Sequence, residues 1–369
     1  MRWMWMVLGV WATVGLAQTA PVPNPGFEEG GAQPAGWTLS QGQGAWVTEN
    51  GSRVLSITGD GRNDNYWRSA DIAFEPATTY RLRYRARRLQ GEGGTPTTGP
   101  AWANRDLGTI PEAWTWYTQL FTTPRAVPRD QSWLRFGQWH LNGTIAFDDV
   151  SLVRAAPVYH AAGDLVLGEG EAVHGSEYVF QAPLGSGNPS RPLESHQAGF
   201  NSNRWVFGQG SELIYRHQIG ERRQTAATAE VSIGYYVGGE LVVEASRDCQ
   251  TWLPVGTQSA MSTVKHAIPA ELLPAPVVYV RLRAQARQRV GTESDPGSFQ
   301  IHGYAYRASI DGEPAFATGS TRYVAVPSAD ERVEVAFESL GEGLPGADNT
   351  LVATVRNKTA APLAIRPQA

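Results

Sequence analysis

The sequence predicts an all-β protein: tandem jelly-roll β-sandwiches followed by a short C-terminal β-rich segment. Three observations carry this expectation. Gly and Pro are abundant, 40 and 24 of 369 residues, which favours strands and turns over long helices. Short runs of alternating apolar and polar residues recur, separated by turns rich in Gly, Asn, Asp and Pro. No segment carries a helical apolar stripe longer than about two turns. The length suits two domains of ordinary size, each able to bury a core without disulfides.

At the amino terminus, Arg2 precedes an apolar run from Trp3 to Leu16, and Gly15-Leu16-Ala17 places small residues before a cleavage point. Residues 1–17 are therefore expected to be a signal peptide and the protein to be secreted. The run is too short for a membrane anchor, and no later stretch is apolar enough to insert. A net charge of -4 leaves no basic excess for phosphates, which excludes a general nucleic-acid binder. Cys249 is the only cysteine, so neither an internal disulfide nor a thiolate metal cluster can form. It reads as a quiet, part-buried thiol rather than a nucleophile.

A first sandwich is expected over residues 22–155. Its clearest strand is Tyr80–Ala86, where Tyr80, Leu82, Tyr84 and Ala86 share a buried face and Arg81, Arg83 and Arg85 share the solvated one. Further strands are expected at Gly44–Thr48, Val54–Ile57, Trp114–Thr122, Trp133–Gln138 and Thr144–Val153. A second sandwich is expected over 156–319, with strands at Ser176–Phe180, Arg204–Phe207, Glu212–Gln218, Thr228–Tyr236, Glu240–Ser246, Val277–Ala284 and Ser298–Ala308. The polar segment from Ala182 to Asn203 reads as a flexible crossing or a binding loop. In both regions an Arg-bearing strand leads through a small turn to a final strand, which reads as an internal duplication. Residues 320–369 are short for an independent core and read as a β-rich tail, a partial immunoglobulin-like unit or a truncated one.

Asn24-Pro25-Gly26-Phe27-Glu28, Gly36-Trp37, Tyr80-Arg81-Leu82, Trp116-Tyr117 with Phe121-Thr122, and Phe147-Asp148-Asp149-Val150-Ser151-Leu152 occur in the order found in one family of strands. By these motifs the first domain resembles the carbohydrate-binding modules (CBMs) of the family 4/9/22 type, which share a galactose-binding-like jelly roll. The resemblance implies reversible glycan binding and a structural calcium in the first domain, held by Glu28, Asp148 and the backbone near Gly26. Calcium takes several hard oxygens and would relieve the repulsion of two juxtaposed carboxylates. In the second domain, Leu241–Asp248 with Thr251-Trp252 resembles a discoidin-like hairpin, with Cys249 where glycine is usual. His302 and Gly303 stand at the positions of Asp148 and Asp149, so no equivalent calcium is expected there.

Sugar recognition sets aromatic faces against pyranose rings and reads hydroxyls with amides, guanidinium groups and acids. Trp67, Trp102, Trp114 and Trp139 are candidates because polar or turn residues flank them; Asn63, Asn65, Arg68, Asn104 and Arg105 are candidate hydrogen-bonders. Trp37 and Trp116 are expected in the core. No nucleophile elbow, zinc helix or phosphate loop occurs. Adjacent Asp148 and Asp149 point to opposite faces of a strand and make a poor glycosidase pair. The expectation is a secreted, non-catalytic glycan-binding protein, whose partner is a glycan or polysaccharide and which could belong to a larger extracellular assembly. The alternatives are an extracellular structural or adhesive module, and an unrecognised polysaccharide-degrading enzyme.

Overall fold

The computed structural model describes residues 22–127, 129–158, 160–162, 165–186, 191–285, 298–312, 322–325, 333–340 and 350–362. The expected signal peptide and the tail piece Leu363–Ile365 lie outside them. Regular structure is almost wholly strand, as the turn-rich alternation predicted.

The first sandwich is built from β1 (Trp37–Leu39), β2 (Gln43–Glu49), β3 (Ser52–Asp60), β4 (Asp64–Ser69), β5 (Thr79–Glu92), β6 (Thr95–Pro100), β7 (Arg105–Asp106), β8 (Thr115–Thr122), β9 (Leu134–Trp139) and β10 (Asn142–Val158). One sheet runs β1-β4-β9-β6-β7 and the facing sheet β2-β3-β10-β5-β8, with antiparallel pairing throughout. Alternation sends Tyr80, Leu82, Tyr84 and Ala86 of β5 inward, where they meet Trp37, Trp67, Phe136 and Phe147. The chain crosses from β5 to β6 at Gly93-Gly94, both in the left-handed region. A Cβ at Gly94 would run into the backbone of His140 and Leu141, so the corner needs glycine.

The second sandwich follows a short pair, β11 (His160–Ala162) with β12 (Leu165–Leu167). Its strands are β13 (Glu171–His174), β14 (Glu177–Gln181), β15 (Leu193–His196), β16 (Gly199–Asn201), β17 (Arg204–Phe207), β18 (Glu212–Gln218), β19 (Gln224–Tyr236), β20 (Leu241–Ser246), β21 (Leu253–Gln258), β22 (Ser262–Ala267), β23 (Val277–Ala284) and β24 (Phe299–Ile310). One sheet runs β15-β18-β23-β20-β21. The other joins β13-β14-β24 to β19 and β22, with β17 also attached to β24 and β16 to β17. By position in the sheets, β15-β18-β23-β20-β21 parallels β1-β4-β9-β6-β7 and β13-β14-β24-β19-β22 parallels β2-β3-β10-β5-β8, although β15 follows β13 and β14 in the chain where β1 precedes β2 and β3, and β16 and β17 have no counterpart. The shared order within the sheets is what a duplicated sandwich produces.

Cys249 adopts φ +61°, the left-handed conformation glycine would supply, and Asp248 Oδ1 accepts the Gln250 and Thr251 amides, each at 2.8 Å. The β20–β21 hairpin therefore turns at Cys249. In the tail, β25 (Arg322–Ala325) adds to β10, and β26 (Val333–Leu340) pairs with β27 (Thr350–Asn357).

The two sandwiches meet through the segment read as a loop, Ala182 to Asn203, which instead contains β15 and β16. Trp102 of the first packs against His196 of the second, with ring centroids 6.1 Å apart. Ala126 N–H donates to Glu194 O at 3.0 Å, and Arg125 pairs with the Glu194 carboxylate at 3.5 Å.

Candidate functional site

The outer face of the β1-β4-β9-β6-β7 sheet carries a concentration of aromatic and charged side chains. Register decides which residues reach it. Tyr66 lies opposite Gly137 and Arg68 opposite Arg135, so Asp64, Tyr66, Arg68, Arg135 and Trp139 share the outer face. Thr97 also lies opposite Gly137, and Asp106 opposite Thr97. Gly137 thus forms a low floor between Tyr66 and Thr97; any Cβ there would strike Tyr66.

A depression of about 200 Å³ opens over this floor, lined by Asp64, Tyr66, Thr97, Arg135, Trp139 and, from the second sandwich, Asn201. It is smaller than a typical drug-sized pocket and suits one or two small rings. Trp139 is its exposed aromatic, 50% accessible. The chain turns sharply after Trp139 because His140 sits at φ +53°, and the imidazole stacks on the indole with centroids 3.8 Å apart. The platform is therefore braced rather than free to swing.

Tyr66 and Trp133 lie parallel to within 2°, their centroids 5.7 Å apart. The Arg135 guanidinium stands 5.1 Å from the Tyr66 ring and 5.3 Å from the Trp133 ring, while Arg68 stands 4.8 Å from Trp133. Among the described residues no carboxylate lies within ion-pair distance of Arg135, and its Nε is buried with no hydrogen-bond partner. Burial pushes the Arg135 pKa down, against upward contributions from Tyr66, Asp64 and Asp106. Thr97 Oγ1 donates to Asp106 Oδ1 at 2.9 Å. The corresponding face of the second sandwich is closed by its own charges. There Glu244 takes Arg281 at 2.8 Å and Arg283 at 3.3 Å, and the Arg281 guanidinium covers Trp252 at 4.2 Å. Despite burial, which acts upward, the two arginines hold the Glu244 carboxyl below its ordinary value.

Of the residues expected from sequence, the structure brings Trp139 and Arg68 to this face. Asn65 and Asn104 also line the depression, from beneath, with side chains that are buried and already hydrogen-bonded, while the other candidates lie elsewhere. Trp67 is buried and donates its indole N–H to Ser56 O at 2.8 Å, because it alternates with Tyr66 and Arg68 and so points into the sandwich. Trp102 is fully buried at the junction between the sandwiches. Neither presents a face to a ligand. Asn104 is also buried: its amide donates to Phe200 O at 2.5 Å and accepts from Ser202 N–H at 2.9 Å. Asn65 points inward, donating to Gln43 O and Thr58 O and accepting from Gln138, which also binds Asn63 Oδ1. This amide network fastens β4 to β9 beneath the depression.

Arg105 turns to Thr118 O, and Trp114 lies on the opposite sheet, over Arg85 and Arg87. Trp116, expected in the core, is 47% exposed. Its register partner is Arg85, so it shares the arginine face, where Arg83 stacks on it at 4.0 Å. Sequence reasoning missed Tyr66, Trp133, Arg135, Asp64, Thr97 and Asp106 as site residues. The period-two pattern of Asp64–Ser69, with Asn65, Trp67 and Ser69 as one set and Asp64, Tyr66 and Arg68 as the other, was the available signal.

The carboxylates assigned to calcium do approach each other. Ser52 Oγ lies 2.8 Å from Glu28 Oε1 and 3.4 Å from Asp148 Oδ2, and Val150 N–H donates to Pro25 O beside Gly26. As arranged, these oxygens are engaged by protein donors. Arg85 Nη2 sits 2.6 Å from Asp148 Oδ2 and Arg85 Nε 2.8 Å from Asp149 Oδ2, so a guanidinium already supplies the positive charge. Asp148 Oδ1 accepts the Asp149 amide, and Glu28 Oε1 also accepts the Arg53 amide. Among the described residues no three His, Cys, Asp or Glu side chains converge to hold a metal. A divalent ion would have to displace Arg85 or share its oxygens against strong repulsion.

No family model matches the chain, and no curated protein matches it. Among solved structures, it is similar to the CBM22-1 and GH10 modules of Clostridium thermocellum endo-1,4-β-D-xylanase 10B, complexed with xylohexaose. That likeness has 14% identity and TM-score 0.28 over 41% of this chain and 30% of that one, so it spans less than a third of the xylanase structure. The CBM22-1-CBM22-2 tandem domain of Paenibacillus barcinonensis Xyn10C matches at 13% identity and TM-score 0.29, over 80% of this chain and 99% of that one. A truncated AlyQ with CBM32 and alginate lyase domains matches at 11% identity and TM-score 0.21, over 84% and 99%. Among the described residues no helix is long and apolar enough to cross a membrane.

Proposed function

We propose that the protein is secreted and binds a glycan reversibly, without altering it, on the outer face of the β1-β4-β9-β6-β7 sheet. The observation that carries this reading is Trp139: a half-exposed indole, braced by His140, at the rim of a depression containing Tyr66 and the unpaired Arg135. An indole face takes the apolar side of a pyranose, while guanidinium, carboxylate and hydroxyl groups read its hydroxyls. Asp64 and Asp106 flank Arg135, so the site is not strongly basic and suits a neutral or weakly charged sugar rather than a polyanion.

The test is calorimetric titration of the purified protein with cello-, xylo-, manno- and galacto-oligosaccharides of two to six units and their parent polysaccharides. At least one series is expected to bind, with Trp139→Ala and Arg135→Ala each weakening it about tenfold, or about 1.4 kcal/mol. The recovered oligosaccharides are expected unchanged in length. No binding in any series, equal binding by Trp139→Ala, or shortened products would overturn the reading.

A further inference from the structure

Resting on that reading, we infer that the site is shared by both sandwiches, and that Asn201 of the second reads the terminal unit of a glycan chain. Asn201 ends β16, and the β16–β17 hairpin turns at Ser202, whose φ is +56°. The tip of this hairpin leans on the first sandwich. Asn104, in the connection between β6 and the edge strand β7, holds it from both sides by donating to Phe200 O and accepting from Ser202 N–H. Its carboxamide pairs with the hairpin as a strand backbone would. The residue between those two anchors is Asn201, and both Phe200 and Asn201 line the depression.

The hairpin tip lines the depression beside Asn104. A chain crossing the strands from β4 over β9 to β6 would next reach β7 and the Asn104 connection, where the tip of β16 stands. On this inference, a ligand running from Trp139, level with Thr95, diagonally towards Asn104, next to Arg105 and Thr98, is stopped by the anchored hairpin as by a wall and enters end first. The small volume fits a terminal unit with little beyond it. Phe200 is anchored behind the wall, its ring 4.9 Å from that of Trp205. The Asn201 carboxamide offers a donor and an acceptor to the hydroxyls of that last unit. Asn104 acts here as a positioning residue, because its own amide is spent on the hairpin.

The experiment compares wild type, Asn201→Ala, Asn104→Ala and Trp139→Ala, using trimers and hexamers of the oligosaccharide series that binds. Each hexamer is also tested after borohydride reduction, and after blocking of its non-reducing end as a methyl ether. Wild type is expected to bind trimer and hexamer with equal affinity and to lose at least tenfold when one particular end is modified. Asn201→Ala is expected to lose about fivefold on both lengths. Asn104→Ala, with the wall released, is expected to favour the hexamer over the trimer, a change of preference that simple destabilisation would not give. Loss of binding in Trp139→Ala together with unchanged affinity in Asn201→Ala would overturn the shared site and leave the glycan face standing. Indifference of wild type to modification at both ends would overturn end recognition. Absence of wild-type binding would remove the underlying reading itself.

Discussion

Arg85→Met is expected to lower the unfolding free energy by about 3–5 kcal/mol at pH 7, the cost of leaving a buried charge without its partner. Asp148 has no accessible surface, and its shortest charged contact is Arg85 Nη2 at 2.6 Å. Burial pushes the Asp148 carboxyl pKa up; the hydrogen bonds from Arg85 and from the Asp149 amide pull it back. Because the folded-state pKa stays above the unfolded value, protonation favours the folded chain. The part of stability tied to Asp148 is fully present below the ordinary carboxylate value and declines as pH rises through the folded pKa. Removing Arg85 raises that pKa further, so the deficit of the variant should narrow when urea unfolding is repeated at pH 5. Arg85→Met combined with Asp148→Asn, which deletes both charges, should recover most of the loss. Calcium supplies the sharper comparison. If the guanidinium is the balancing cation, millimolar calcium or a chelator leaves the wild-type midpoint unchanged. A urea midpoint that falls clearly on chelation would show that the metal, not Arg85, balances Asp148.

The sheets were legible in the sequence wherever alternation was strong. Tyr80–Ala86 alternates apolar and polar residues without interruption and lies within a strand that runs on to Glu92, while Arg204–Phe207 and Val277–Ala284 form at the expected bounds. The sheet that carries the site was the hard one. β6 reads Thr-Pro-Thr-Thr-Gly-Pro, and two prolines argue against an interior strand. Its pairing survives because the neighbour on one side is only the two residues of β7, so few backbone donors are missed. β4 was obscured by Asp64 and Asn65 at its start, which look like a turn. Asn65 belongs in a strand here because its carboxamide finds partners inside the sandwich.

The site was only half legible for the same reason. Without β4 and its register, Trp67 and Tyr66 cannot be told apart, and the more conspicuous tryptophan was taken as the ligand contact while the tyrosine on the open face went unmarked. Trp116 failed in the opposite direction. Its place on the solvent face follows from pairing with Arg85, a fact of register between β5 and β8 rather than of local pattern. Asn104 was expected to hydrogen-bond a ligand, whereas its amide is bonded to the β16–β17 hairpin across the two sandwiches. Its partners Phe200 and Ser202 lie almost a hundred residues away, and no local pattern reports such a contact.

Acid should loosen the junction between the sandwiches before it unfolds either of them. His196 lies between Trp102 and Trp205, with centroids at 6.1 and 5.3 Å, and neither ring nitrogen has a hydrogen-bond partner. Burial pushes its pKa down to about 4, against smaller upward contributions from the Ala198 backbone and Asp130. The folded state therefore resists protonation. Its stability is whole above the unfolded value of about 6.5 and is lost as pH falls from there to about 4. At 1.36 kcal/mol per unit that interval amounts to about 3 kcal/mol. His217, buried in the second sandwich with its ring 3.7 Å from that of Tyr306, is shifted in the same direction. The two are separated by location, since only His196 touches the first sandwich. His196→Phe keeps an aromatic ring between the tryptophans and should remove one proton's worth of slope from urea unfolding between pH 6.5 and 4, leaving the shares of His217 and of His266, which burial also shifts downward. An unchanged slope would show that His196 is not the group being titrated. Because His196 and Asn104 hold the same junction, protonation that parts Trp102 from His196 also withdraws the β16–β17 hairpin from the depression. Binding of short oligosaccharides should then fail at a higher pH than the loss of β-sheet circular dichroism, and His196→Phe should bring the two transitions together.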